Sequence, residues 1–291
     1  DRGRLFDLRP PDRAGLTPVV LARRRLDAEL VRRGLVATRT QARVAVRDGL
    51  VLVSGRAASK PSTLVDPGTP VELVGPPRRF VSRAGGKLEA ALERFDVDVA
   101  ARHGLDAGAS TGGFTDCLLR RGAAHVVAVD VGYGQLAWSL RTDERVTVLE
   151  RTNVRDLRPE DLPYRPEIVV ADLSFISLRT VVPVLARVAS VGADLVLLVK
   201  PQFEVGRERV GAGGVVRDPD AWRDAVRGVA DTCVQEGLTV GAVMASPLPG
   251  PAGNLEFPLY ARLGPVVTTL ELEAAIEEAR GIRGVGEGVR S

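Results

Sequence analysis

The stretch 103-HGLDAGASTGGFTDCLLRRGAAHVVAVD-130 decides how the rest of the chain is read. It opens as a strand that ends at Asp106 and turns through Gly108, Gly112 and Gly113. A helical pattern follows over FTDCLLRRG, and a second strand, HVVAVD, ends at Asp130. A strand, a glycine turn, a helix and another strand make one right-handed unit of a parallel sheet. The turn is not a dinucleotide fingerprint, which reads G-x-G-x-x-G. Nor is it a phosphate loop, which needs Gly-Lys-Ser/Thr. It lets backbone pass close to a ligand without offering a cation to it.

Downstream the alternation continues. GQLAWSLR (134–141) is predicted helical, VTVLE (146–150) a third strand and PEIVVADLS (166–174) a fourth. A helix over 177–190, a fifth strand at ADLVLLVK (193–200) and a helix over 219–236 ending at Gly237 come next. LTVGAVMAS and LEFPLYARL, two consecutive strands, predict an antiparallel hairpin at one edge. The fold class is therefore α/β, a mainly parallel sheet with helices on both faces and an antiparallel edge. In such sheets ligands bind outside the carboxyl ends of the strands.

Three of the 40 basic residues are lysine: Lys60, Lys87 and Lys200. A plain positive charge in this chain is written Arg, which stays protonated at any working pH, whereas Lys can give up its proton. Lys200 ends the apolar run LVLLVK, and Asp172 ends the fourth strand, so both open onto the edge that carries the glycine turn. Glu256 begins the last strand, and Lys87 lies on a helix predicted over about 84–95. Each of the last three also has a plain structural explanation, as a helix cap, a surface strand residue or a surface charge. An acid before a glycine loop, with a second acid at the tip of the next strand to hold ribose hydroxyls, resembles the S-adenosylmethionine site of class I (Rossmann-like) methyltransferases. Asn153, after the third strand, sits where that class places a polar group against adenine.

The amino-terminal part is different in character. Residues 23–60 hold ten basic and three acidic side chains, a net of +7, which leaves −4 for the rest of a chain whose total is +3. A basic module beside a mildly acidic one points to a polyanion. Leu26, Leu30 and Val31 repeat at helical spacing up to Gly34. Thr38-x-x-Gln41 reads as a capping box for a second helix, with Ala42, Ala45 and Val46 on its apolar side and Arg39, Arg43 and Arg47 on the other. LVLVSGRAA and TPVELV follow as short strands around turns at Ser54-Gly55 and Pro67-Gly68. Two short helices with a basic face before a small sheet resemble the S4 RNA-binding domain, an α+β module. Pro76-Pro77 reads as a stiff hinge and Phe80-Val81 as a docking strand.

Several classes are excluded or disfavoured. No apolar run reaches membrane-spanning length, and the best candidate, 181–199, is broken by Arg187 and Asp194. This argues against a pore-forming protein. The first residues contain acids and no apolar core, unlike a signal peptide. Cys117 and Cys233 form no disulfide framework, and no metal-ligand spacing links cysteines and histidines. A cytoplasmic protein without a metal is expected. A binding protein built on a decayed enzyme fold would show a broken catalytic set or a blocked glycine loop, and neither is present.

The segments RLDAELVRRGL, SRAGGKL, LDAGASTGGFTD, DVGYGQLAWSLR, ERTNVRDL, VVADLSFISL, LVKPQFEVG and ASPLPGPAGNLEFPLY together resemble the TlyA family of ribosomal-RNA 2′-O-methyltransferases, long labelled haemolysins. The resemblance runs from about residue 24 to 263. It implies a flexible arm (1–22), an S4-like domain (23–75), a linker (76–82), an FtsJ-like methyltransferase domain (83–264) and a carboxyl-terminal helix and tail (265–291). It implies S-adenosyl-L-methionine as cofactor, cytidine 2′-hydroxyls of ribosomal RNA or ribosomal subunits as substrate, and no membrane partner. The family's Lys-Asp-Lys-Glu catalytic set falls on Lys87, Asp172, Lys200 and Glu256. The cofactor would lie on Asp106, Gly108, Ala109, Ser110, Thr111, Gly112, Gly113, Phe114, Asp130, Val131, Asn153 and Val154. RNA would meet Arg23, Arg24, Arg25, Arg32, Arg33, Arg39, Arg43, Arg47, Lys60 and Arg83.

Overall fold

The computed structural model describes residues 23–36, 38–47, 49–74, 79–250, 252–266 and 270–287. The expected arm, the Pro76-Pro77 hinge and the last four residues lie outside them. The chain divides into two compact units at Pro76/Pro77.

In the first unit β1 (Arg24–Arg25) leads into α1 (Leu26–Arg32) and α2 (Arg39–Arg47). Strands β2 (Val51–Val53), β3 (Arg56–Ala57), β4 (Leu64–Val65) and β5 (Val71–Leu73) complete it. The Thr38/Gln41 capping box forms in both directions, Gln41 N–H to Thr38 Oγ1 and Thr38 N–H to Gln41 Oε1, each 3.2 Å. Ser54 and Gly55 both have positive φ, 49° and 76°, as the two-residue turn between β2 and β3 requires. The pairing of β1 with β4 carries no sequence signal. Leu26, Leu30, Ala42, Ala45, Val46, Val51, Val65 and Val71 form the core.

The second unit begins with Phe80 and Val81. They dock, but as a bend and not as a strand: Val81 N–H donates to Asp116 Oδ2 (2.8 Å) and the Phe80 ring is buried. The elements that follow are α3 (Ala84–Arg94), β6 (His103–Ala107), α4 (Gly113–Arg120), β7 (His125–Val129), α5 (Trp138–Arg141) and β8 (Val146–Leu149). Then come β9 (Ile168–Ala171), α6 (Leu178–Val188), β10 (Asp194–Val199), α7 (Pro201–Glu204), α8 (Pro219–Gln235), β11 (Thr239–Val243), β12 (Phe257–Arg262) and α9 (Leu272–Glu287). They build a seven-stranded sheet of order β11-β12-β10-β9-β6-β7-β8. The central strands β6, β9 and β10 pair in parallel. Their fully buried Leu105, Val169, Val170, Leu195 and Leu197 are what a sheet covered on both faces demands.

The late hairpin lies at one edge of the sheet as expected, with β11 outermost and β12 between β10 and β11, antiparallel to both. One further expectation changes. The stretch 134–141 is helical only from Trp138, because Gly134 has φ of 68° and residues 131–137 run as an open loop. The carboxyl-terminal helix α9 is part of the sheet's cover, with Leu272, Ala275, Ile276 and Ala279 buried in the main core. Among the described residues no helix is long and apolar enough to cross a membrane.

Candidate active site

Strand register brings the chemistry to one edge. Ala107, Val129 and Ala171 are aligned across β6, β7 and β9, so Gly108, Asp130 and Asp172 emerge side by side. Val199 faces Phe257 across the antiparallel β10–β12 ladder, so Lys200 and Glu256 leave the sheet together. Helix α3 contacts β10 and β12 and delivers Lys87 to the same place.

The four residues form two ion pairs. Lys87 Nζ donates to Glu256 Oε2 at 2.5 Å, and the two residues are only 7% and 2% exposed. Lys200 Nζ lies 2.6 Å from Asp172 Oδ1 and donates to Ser174 Oγ at 2.9 Å. Buried charges persist only when paired, which is why each lysine comes with its own carboxylate. Gly250 makes room for one pair, since a Cβ there would meet the Glu256 carboxylate.

Beside the pairs lies a cleft of about 540 Å³. Of the residues expected to hold the cofactor, Gly108, Ser110, Asp130, Val131, Asn153 and Val154 line it. The Asp130 carboxylate accepts from Ser110 N–H and Gly132 N–H, both at 2.7 Å, and so ties the first strand turn to the second. Gly108 has φ of 89°, and a Cβ on it would stand 2.7 Å from the Asp172 carbonyl oxygen; only glycine fits. Asn153 Oδ1 accepts from Arg155 N–H and caps a short turn at the cleft wall.

The other predicted cofactor residues stand behind the wall and not on it. Gly112 and Gly113 are packing glycines: a Cβ on Gly112 would strike Leu136 and Leu140, and one on Gly113 would reach 2.9 Å from Gly85 N, where α4 crosses α3. Phe114 and Ala109 belong to the core, and the Thr111 carbonyl oxygen accepts from Ala137 N–H. Asp106 is fully buried, with one oxygen bonded to Thr115 N–H and Oγ1 and Oδ1 unpartnered. Burial, with the charges of Asp172 and Asp130 behind it, pushes its carboxyl up to about 7. Residues that the sequence did not single out complete the lining, among them Gln135, Thr152, Ser174 and Phe175. They sit in irregular backbone, where no period marks them. Phe175 is 92% exposed with φ of 66°.

In the first unit the arginines divide. Arg25, Arg39 and Arg43 converge on the fully buried Asp27 at 3.0–3.4 Å, yet remain about half exposed themselves. Their guanidinium groups hold the Asp27 carboxyl well below the usual range. Arg32 and Arg33 share Glu29 in the same way. Arg33 also donates to the Thr69 and Pro67 carbonyls and is a strut of the fold. Arg23 pairs with Asp66, while Arg24, Arg47 and Lys60 are exposed. Arg83, on the second unit, is exposed and donates to the Pro249 carbonyl.

Two family models match the chain. The FtsJ-like methyltransferase family matches residues 80–263 and the S4 domain residues 24–71. The 16S/23S rRNA (cytidine-2′-O)-methyltransferase TlyA of Mycobacterium tuberculosis is 57% identical over 244 residues, 83% of this chain and 91% of that protein. The chain belongs to the TlyA family. A second relative, Hemolysin A of Brachyspira hyodysenteriae, is 37% identical over 80% of this chain and 97% of its own. A solved structure from Streptococcus thermophilus that carries a hemolysin label superposes with a TM-score of 0.72. It is 37% identical and covers 92% of this chain and 99% of its own.

Proposed function

We propose that this chain transfers a methyl group from S-adenosylmethionine to the 2′-hydroxyl of cytidine in ribosomal RNA. The observation that carries the reading is the placement of Lys200–Asp172 and Lys87–Glu256 at the strand edge beside the Gly108–Asp130 cleft.

The cleft's chemistry fits that cofactor. Asp130 offers carboxylate lone pairs for ribose hydroxyls, Val131, Val154 and Ile176 offer apolar surface for a base, and the glycine turn presents no lysine of the kind a phosphate would need. When bound, the cofactor supplies a methyl group already activated on a sulfonium. The protein's part is then to bring a ribose oxygen in line and manage its proton. Lys200 meets the hydroxyl, either as the base or as the donor that holds it, with Asp172 and Ser174 fixing its Nζ. Lys87 shapes the field around it, and Glu256 holds Lys87 in place. Asp130→Ala is expected to weaken cofactor binding by about 1.5–3 kcal/mol, roughly ten- to a hundredfold, through a lost bond to a charged acceptor. Titration calorimetry with unchanged affinity would place the ribose elsewhere.

RNA recognition falls to the first unit, whose residues 23–60 carry +7. Phosphate contacts dominate such affinity. Arg39→Gln with Arg43→Gln should weaken ribosomal-RNA binding and reduce the log–log salt slope by about one per lost contact, with cofactor affinity unchanged. Arg33→Gln should lower stability more than RNA affinity. Filter binding across a salt series reads the RNA affinities and the slope, and a thermal melt reads the stability. The decisive test of the whole reading is a map of ribose methylation on ribosomal RNA from cells with and without the protein. Identical maps would end it.

A further inference from the structure

Two chain segments link Asp172 to Lys200 in a way the ion pair alone does not explain. Residues 172–179 leave β9 and residues 200–204 leave β10, and the two segments are joined repeatedly. Lys200 reaches Asp172 and Ser174. The rings of Phe175 and Phe203 lie 5.3 Å apart. Arg179 donates to the Glu204 carbonyl at 2.8 Å. The strongest link is the Glu204 side chain, buried at the end of α7. Its Oε2 accepts from Ser177 Oγ at 2.5 Å and its Oε1 from Leu178 N–H at 2.7 Å, where α6 begins.

A carboxylate is costly to bury, and the Arg179 guanidinium 3.5 Å from Glu204 Oε2 offsets part of that cost. A cap for α6 is already present, because Ser177 Oγ accepts from Arg179 N–H. What Glu204 adds is a bridge between the two segments. Glu204 lies four positions after Lys200, and Ser177 five positions after Asp172. A rigid strut at that distance fixes the spacing of the two strand-end loops. Ser174 and Phe175 have no regular structure to hold them, and Phe175 sits at positive φ.

We propose that Glu204 is a positioning residue for methyl transfer: by clamping the start of α6 to α7 it holds Ser174 and Asp172 against Lys200. This rests on the proposed function for its catalytic consequence, but not for its geometry. Glutamine keeps the clamp, since its oxygen accepts from Leu178 N–H and its amide donates to Ser177 Oγ. Alanine removes both bonds.

The chain has three lysines, so selective ¹⁵N-lysine labelling gives a spectrum in which the Lys200 Nζ resonance is assigned by its loss in Lys200→Arg. In Glu204→Ala the Lys200 resonance should broaden or move while that of Lys87 stays. Turnover should fall at least tenfold well below the melting temperature, with KM for S-adenosylmethionine within twofold. Glu204→Gln should keep the wild-type spectrum and most of the turnover. If Glu204→Ala does not fold, Ser177→Ala removes one of the two clamp bonds together with the Arg179 N–H cap, and should show the same two changes at smaller size. A lower melting temperature with an unmoved Lys200 resonance and unchanged turnover would make Glu204 a stability residue and overturn the proposal. A moved resonance in a protein whose wild type transfers no methyl to ribose would leave the clamp standing and sink the function instead.

Discussion

Lys200→Arg should lower methyl transfer at least a hundredfold while S-adenosylmethionine affinity stays within a few-fold. Arginine keeps the positive charge and the pairing with Asp172, but it does not accept a proton at any working pH. General-base catalysis contributes typically 10²- to 10⁴-fold, which sets the expected loss. The side chain emerges where β10 ends, between Asp172 at 2.6 Å and Ser174 at 2.9 Å; these two residues line the cleft, and Lys200 itself does not. Because arginine keeps the charge beside them, cofactor binding serves as the internal control. Single-turnover measurement on ribosomal RNA separates the outcomes. Near-normal transfer by the arginine variant would reduce Lys200 to a holder of the hydroxyl. Lys200→Met, which can neither hold nor accept, then measures that remaining role.

The second large effect concerns Lys87. Replacing it with methionine leaves Glu256, 2% exposed, without its partner. Breaking a buried pair in this way costs about 3–5 kcal/mol, and for a domain of this size that lowers the melting temperature by roughly 10 °C. Lys87→Met combined with Glu256→Gln removes the stranded charge and should restore most of the loss. Methyl transfer should remain low in both. Thermal melts beside activity assays thus part the two roles of the pair. A single variant that melts like the wild type would mean that Glu256 finds another partner or water.

The alternation of strands and helices was legible because burial on both faces writes itself as apolar runs such as LVLLV and IVVA. The four charged residues were legible because two end strands, one begins a strand, and lysine is scarce. The glycine turn was only partly legible. Gly108 serves the cleft, and Gly112 and Gly113 serve the crossing of α4 with α3, yet all three look alike in sequence because the atoms they avoid come from Asp172, Leu136 and Gly85. The same holds for the arginines. Arg33 and Arg39 both read as basic helix-face residues, and only the folded chain shows that the first is tied to Thr69 and Pro67. Ser174, Phe175 and the Glu204 clamp were invisible because irregular backbone carries no period.

The insertion of β12 between β10 and β11 has a consequence for the order in which the protein can become active. Lys87 waits 169 residues for Glu256, and Glu256 enters the site only when the last strand slides between two strands already synthesised. Such non-local closure is slow compared with helix formation. A nascent chain that has exposed the first unit and the glycine turn can already fold its basic module, but its catalytic edge is still missing a strand and its α3 still carries an unpaired buried lysine. Premature termination between the end of the first unit and residue 256 therefore yields a chain that keeps the arginine-rich module but lacks Glu256, with a charged set that is incomplete rather than merely slowed.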